Sequence, residues 1–397
     1  MPTSRTVFSL SLIAFVVFSN STVDNTIKTA FPNLARADDN SLPAITQASA
    51  KLPLNMIKLP AGFSISVYAE VEDARSMAVS PSGTLFIGNR SEDKVYAVKD
   101  TDGDGVADKK WVIASGLNMP NGVAFRKGDL YVAEVSRVTK FSGIEDKLSN
   151  PGTPTVVNDQ FPTKTHHGWK YIAFGPDGKL YVPVGAPCNI CEKDSTIFAS
   201  ITRMNPDGSG REEFAHGIRN TVGFTWHPVT KELWFTDNGG DDLGDDIPSC
   251  ELNTAPRAGM HFGYPYCHAG SIKDPTYGAK RPCSDFIQPA QKLGAHVAPL
   301  GLKFYTGKMF PTKYKNQIFV AEHGSWNRSK KSGYQVALVT MKKGKATQSE
   351  TFASGWLDDA TQKVWGRPVD VLLLRDGSML VSDDQAGVVY RITYKRI

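Results

Sequence analysis

The stretch THHGWKYIAFGPDGKLYVPVG, Thr165–Gly185, decides the fold. Its centre is a short apolar strand, YIAF, a Gly-Pro-Asp-Gly turn and a second strand of alternating character, LYVPV. Asp-Gly between two hydrophobic runs is a hairpin signal. The unit recurs along the chain. SMAVSPSGTLFIGN (Ser76–Asn89) and NGVAFRKGDLYVAE (Asn121–Glu134) precede it. VGFTWHPVTKELWFTDN (Val222–Asn238), the segment Leu300–Gly324 and VDVLLLRDGSMLVSDD (Val369–Asp384) follow it. Some units add outer strands, such as KVYAVKD after the first and VVYRITY after the last. Six similar hairpins over more than 300 residues are too many for a two-sheet sandwich. Repeats of about 40–50 residues, each several strands, indicate propeller blades. The expected fold is all-β, a six-bladed β-propeller. Its fifth unit follows a long insertion, Ser249–Pro299, and no convincing helix appears after the N-terminal leader.

The N-terminus differs in kind. Arg5 precedes an apolar run, Val7–Phe18, and then polar SNSTVDN, which is the form of a secretory signal. The run falls well short of the roughly 20 residues a membrane span needs, so no permanent anchor is expected. Cleavage would follow Ser19-Asn20-Ser21 or Ala35-Arg36-Ala37. The chain divides into a leader at 1–37, a linker at 38–53 and the propeller at 54–397, with a periplasmic or secreted location. Export makes disulfides the expected state of Cys188, Cys191, Cys250, Cys267 and Cys283, with one thiol over. Zinc would want a second close pair, and Glu192 after Cys191 excludes c-type haem attachment. The net charge of +5 is scattered over 397 residues, so no nucleic-acid partner is expected.

The interruptions of the strand pattern carry the candidate chemistry. His166 and His167 stand just before a first strand, where a neutral imidazole suits a general base for a sugar hydroxyl. Asn121, Arg219, Asn220 and Arg367 hold equivalent entrances, and in a propeller these converge on one mouth of the channel. Arginine there offers a planar fork for carboxylates. Asp237–Asp246, DNGGDDLGDD, follows a second strand and suits a cation site built partly from carbonyl oxygens. Trp326, in HGSWNR, could stack on a flat ligand or pack between blades. Asp100, Asp102, Asp104 and Asp108 form a calcium-loop pattern around Gly105. Trp111 stands where an EF-hand has Glu, so the expected role is a structural calcium outside that motif.

HHGWKYIAFGPDGKLYVPVG, HGIRNTVGFTWHP, TDNGGDDLGDD with Glu251-Leu252-Asn253, FGYPYC, EHGSWNR and GRPVDV together resemble the glucose/sorbosone dehydrogenase family. The resemblance spans roughly Leu59–Tyr394. It implies a six-bladed propeller that uses pyrroloquinoline quinone (PQQ) and Ca2+ to oxidise a sugar or sugar aldehyde. It implies a catalytic His ahead of the GPDG turn, His167, with His166 next. It places Arg219 by the quinone carbonyls, Asn220 and Asn121 on the cofactor, and Arg367 on its carboxylate. Backbone carbonyls at Gly240 and Asp241 would hold the cofactor calcium. The glucose-oxidising members carry a Lys in the fifth unit, for which Arg328, Lys330 and Lys331 are the candidates. Their second Arg near the last one is replaced by Pro368-Val369, and CNIC and GYPYC resemble the sorbosone branch. The implied partners are a small sugar or aldehyde and an electron acceptor, quinone or cytochrome. The alternatives are a calcium-dependent lactonase-type hydrolase and a non-catalytic carbohydrate- or protein-binding propeller.

Overall fold

The computed structural model describes residues 51–193 and 195–396, all within one compact unit. The leader at 1–37 and most of the 38–53 linker lie outside the described residues. Six sheets make six blades, each with four antiparallel strands and one of them with a fifth strand added at its edge, and among the described residues the helices are short 3-10 turns. Blade 1 runs Met77–Val79, Leu85–Ile87, Val95–Lys99 and Lys109–Ala114. Blade 2 runs Gly122–Arg126, Asp129–Ala133, Val138–Phe141 and Thr155–Asn158. Blade 3 runs Ala173–Phe174, Leu180–Val184, Ser200–Met204 and Glu212–His216. Blade 4 runs Phe224–Trp226, Leu233–Asp237, Ser249–Ala255 and Gln291–Ala295. Blade 5 runs Pro299–Phe304, Ile318–Glu322, Gln335–Lys342 and Lys345–Ala353. Blade 6 takes Pro368–Leu373, Met379–Asp383 and Val388–Tyr394 from the C-terminus and Phe63–Glu70 from the N-terminal side. That last strand pairs Phe63 with Tyr394, so both ends of the propeller close one blade and the ring has no open seam.

Each repeated hairpin is the inner pair of one blade. The second strands of blades 3 to 6, Leu180–Val184, Leu233–Asp237, Ile318–Glu322 and Met379–Asp383, are buried throughout. Their alternate side chains pack against the blade on either side, so both faces need to be apolar. Phe319 is buried among Tyr305, Phe310, Tyr314 and Phe352, and truncating it would cost about 3–5 kcal/mol. Near the axis the blades come so close that a side chain has no room. A Cβ at Gly223 would lie 2.1 Å from the Leu300 carbonyl oxygen.

The insertion is shorter than its sequence suggests. Ser249–Ala255 and Gln291–Ala295 are the third and fourth strands of blade 4, which leaves 256–290 as the excursion. That excursion lays Met260–His261 parallel to the edge of blade 3, pairing Ala215 with Met260. Cys267–Cys283 ties it and Cys188–Cys191 closes a second loop, so Cys250 is the leftover thiol, buried and pushed up to about 11 by burial.

In an up-and-down blade, the start of strand one and the end of strand two share one rim. Polar residues end several second strands there, and Asp237 and Asp383 hold the entrance loops of their blades. Asp237 accepts from the Arg219 and Asn220 amides at 3.0 and 2.7 Å. Asp383 accepts from the Arg367 amide at 2.8 Å. Glu322 accepts from Gln335 Nε2 at 2.7 Å and, by burial, is pushed up to about 8. Its folded pKa lies above the unfolded value of about 4.3, so its stabilising share is full in acid and is lost as pH rises through 8. Glu322→Gln is therefore expected to raise Tm by about 1–3 °C at pH 9 but not at pH 4, read by calorimetry across that range.

Candidate active site

A cavity of about 620 Å³ opens on this rim, and every blade contributes to it. Its wall includes Arg75, Arg90, His166, His167, Trp169, Arg219, Asn220, Asp241, His323, Trp326, Asn327 and Arg367. The predicted His166, His167, Arg219, Asn220, Asp241 and Arg367 are thus brought together. The entrances before strand one and the turns after strand two supply them, as blade topology requires.

His167 is the most constrained of these groups. It is buried and its backbone takes φ 49°, a left-handed conformation uncommon for a side-chain-bearing residue. Gly185 makes room for it, since a Cβ there would sit 2.5 Å from the His167 Cβ. His167 Nδ1 lies 2.9 Å from the Ala186 carbonyl oxygen. A carbonyl only accepts, so Nδ1 carries the proton and Nε2 keeps the lone pair. Burial first, then Arg219 and His166, pull the imidazole down to about 2, so it is neutral across the physiological range. His166 is exposed, with its ring centroid 4.1 Å from that of His167. Burial and Arg219 lower it too.

Arg219 is held at every nitrogen. Nε donates to the Asn189 carbonyl at 2.9 Å, and Nη2 to Asn189 Oδ1 at 2.7 Å and Asp241 Oδ2 at 2.6 Å. Nη1 donates to the Asn238 carbonyl at 3.3 Å. The Cys188–Cys191 disulfide closes the loop that carries Asn189. The Arg367 guanidinium donates to the carbonyls of His323 at 3.0 Å and Gly324 at 2.8 Å, and among the described residues no carboxylate is bound to it.

Several wall residues were absent from the candidates read in the sequence. Arg75 pairs with Asp384, which also accepts from His323 Nε2 at 2.8 Å. Burial opposes ionisation of Asp384, yet His323 and Arg75 hold its carboxyl well below the usual range. Arg90 lies 4.0 Å above the Trp169 ring. Arg75 obeys the placement rule that singled out Arg219, since it precedes the first unit, whereas Arg90 follows that unit's second strand, as the acidic loop Asp237–Asp246 follows its own. The entrance rule applied to every blade would have found Arg75, and the turns after second strands would have found Arg90.

Other predicted residues lie elsewhere. Asn121 is fully buried behind the wall, where Oδ1 accepts from Arg75 Nε at 2.8 Å and Nδ2 donates to Ser76 Oγ and the Lys170 carbonyl. Arg75 takes the wall position and Asn121 orients it. Arg328 turns to the Asp245 carbonyl at 2.9 Å and to Asp246, while Lys331 Nζ donates to the Gln362 carbonyl at 2.8 Å. The structure brings neither to the cavity; the fifth blade presents His323, Gly324, Trp326 and Asn327 instead. Lys330 pairs with Asp359. Gly240 lies beside Ile190 and His268, just behind the wall.

Away from the cavity, Asp100, Asp102 and Asp104 hold ligand oxygens within 4.8 Å of one another. Asp108 is turned to Thr101, accepting from its amide at 2.7 Å and its hydroxyl at 2.5 Å. If this loop holds calcium, the ion at 100 times its Kd would add about 2.7 kcal/mol of stability. The gain should vanish in an Asp102→Asn/Asp104→Asn double variant, as read by Tm with and without chelator.

The fold is a six-bladed β-propeller that solved structures of other proteins share. A Trichoderma reesei enzyme of carbohydrate-active family AA12 superposes with TM-score 0.74 at 21% identity, over 85% of this chain and 98% of its own. The holo PQQ domain of a Coprinopsis cinerea pyranose dehydrogenase superposes with TM-score 0.72 at 18% identity, over 85% of this chain and 97% of its own. In sequence, a C. cinerea PQQ-dependent pyranose dehydrogenase is 31% identical over 173 residues, 34% of this chain and 23% of its own. A Borreliella burgdorferi protein described as uncharacterized is 31% identical over 382 residues, 90% of this chain and 95% of its own. The chain belongs to the family described as a domain of unknown function, DUF7133, which matches residues 49–391.

Proposed function

We propose that this protein is a periplasmic or secreted dehydrogenase that oxidises a sugar or sugar aldehyde with PQQ and Ca2+. One observation carries the reading. Four guanidinium groups, Arg75, Arg90, Arg219 and Arg367, share one cavity with a buried neutral imidazole whose Nδ1 proton is tied to a carbonyl. Among the described residues one carboxylate lies on that wall, Asp241, and it is already paired with Arg219.

The donor set fits a flat polyanionic cofactor. Among the described residues, no carboxylate is bound to the Arg367 or Arg90 guanidinium, and Asn327 Oδ1 and Trp169 Nε1 have no hydrogen-bond partner. Buried polar atoms left this way need a partner, which a water or a ligand supplies. Arg367 and Arg90 would hold carboxylates, with Arg219 and Asn220 beside the reacting carbonyls. Gly240 and Asp241 would offer carbonyls to calcium; the Asp241 oxygen already accepts from Asn327 Nδ2 at 2.7 Å, which leaves one lone pair. PQQ supplies the electron-accepting carbonyl chemistry.

The chain's own part is proton handling and orientation. Nε2 of His167 takes the substrate hydroxyl proton. The Ala186 carbonyl then stabilises the charged ring through Nδ1. Arg219, fixed on both sides, presents a preorganised positive charge that needs no rearrangement. The lactonase alternative wants a metal ringed by acids and amides at the mouth, and this wall is cationic instead.

The test adds PQQ and calcium to the purified protein, then follows quinone absorbance and dye reduction with aldoses and sorbosone. The expected result is a stoichiometric absorbance change and turnover with at least one sugar. The absence of both an absorbance change and dye reduction would sink the proposal.

A further inference from the structure

We propose that Trp326 is the platform on which the C–H face of a pyranose ring stacks at the cavity rim, so that it selects cyclic over open-chain substrates. This deepens the dehydrogenase reading and rests on it.

Trp326 is 75% exposed although it lines the cavity. Its backbone neighbours are pinned on both sides. Ser325 is buried, its amide donates to the Ser332 carbonyl at 2.9 Å, and its carbonyl accepts from Tyr334 Oη. Asn327 Nδ2 donates across to the Asp241 carbonyl at 2.7 Å. The indole is therefore carried by a fixed segment while its own faces stay open. The other wall tryptophan, Trp169, has Arg90 over its ring at 4.0 Å and is already covered. An uncovered indole forgoes the stabilisation that burial would give. Rigid aromatic surface at low entropy cost is what dominates binding energetics.

The ligand class follows from the chemistry around it. An apolar face set at the mouth of a cationic, hydrogen-bonding cavity matches a molecule with one apolar face and a polar edge. A pyranose ring has that form: its axial C–H bonds meet the indole and its hydroxyls reach the wall. A small open-chain aldehyde has no such face and gains nothing from Trp326.

Two measurements test this. Saturation-transfer NMR on the protein without cofactor, using methyl pyranosides and sorbitol, should show transfer to pyranoside C–H protons only. Trp326→Ala should abolish that transfer and Trp326→Phe should keep part of it. In the PQQ-loaded enzyme, Trp326→Ala should raise KM for pyranoses about tenfold and leave that for glyceraldehyde unchanged. Its kcat should stay within about twofold, and its PQQ titration should match wild type. Equal KM rises for both substrates, an unchanged pyranose KM, or no saturation transfer in wild type would each overturn the proposal. An unchanged pyranose KM would instead mark the indole as a protein-docking residue. Failure of PQQ uptake with saturation transfer intact would sink the dehydrogenase reading alone.

Discussion

His167→Ala is expected to lower kcat by roughly 10²–10⁴ while PQQ still binds, because the residue contributes a base and little else. Its Nδ1 proton is committed to the Ala186 carbonyl at 2.9 Å, which leaves Nε2 as the free lone pair. His166→Ala should cost far less, since that ring is exposed and has no such anchor. Dye reduction under saturating sugar reads both variants, and the reverse order of effects would transfer the base to His166. Gly185→Ala should mimic His167→Ala in part, because its Cβ would arrive 2.5 Å from the His167 Cβ.

The same residue makes a pH prediction of defined sign. Burial and Arg219 depress its folded pKa to about 2, below the unfolded value of about 6.5. Its stabilising share is therefore present above pH 6.5 and is lost as pH falls toward 2, because the unfolded chain then binds the extra proton. His167→Gln should lose stability less steeply than wild type on acidification through that window. Parallel slopes of Tm against pH would count against a buried neutral imidazole.

Arg219→Lys is expected to cost about 10²-fold in kcat/KM although the charge is kept, an effect in the range of removing one preorganised donor. The guanidinium reaches Asn189, Asn238 and Asp241 at once through a planar fork. A lysine has one point of charge and cannot span them. Asp241 would be left partly unpaired at the cavity wall, so Tm should fall as well. The double variant Arg219→Lys/Asp241→Asn should recover part of the Tm and none of the turnover. Recovery of both would reduce Arg219 to a structural partner of the acidic loop.

The fold was legible in the sequence because a blade is a local object. Two apolar strands around an Asp-Gly or equivalent turn need only neighbouring residues to be recognised. The third and fourth strands of blade 4 were hidden, since Ser249–Ala255 and Gln291–Ala295 are separated by the 256–290 excursion. No local pattern marks such a pair as partners. The site was legible in outline for a related reason. His167, Arg219, Asn220 and Arg367 sit at blade entrances, and topology sends entrances to one rim.

The details were decided by contacts that no spacing encodes. Asn121 satisfies the entrance rule, yet its side chain is turned behind the wall to hold Arg75. Arg328 and Lys331 follow a cavity-lining segment, yet the acidic loop and Gln362 draw them away. The Arg75–Asp384 pair joins residues 309 apart in the chain. Sequence by itself determined the repeat, the blade count and the rim on which polar residues gather, because strand alternation and turn chemistry act over a few residues. Tertiary structure alone decided which of those side chains face the cavity and which are neutral. Burial, charge pairing and tautomer depend on neighbours brought in from other blades, and those exist only once the ring has closed.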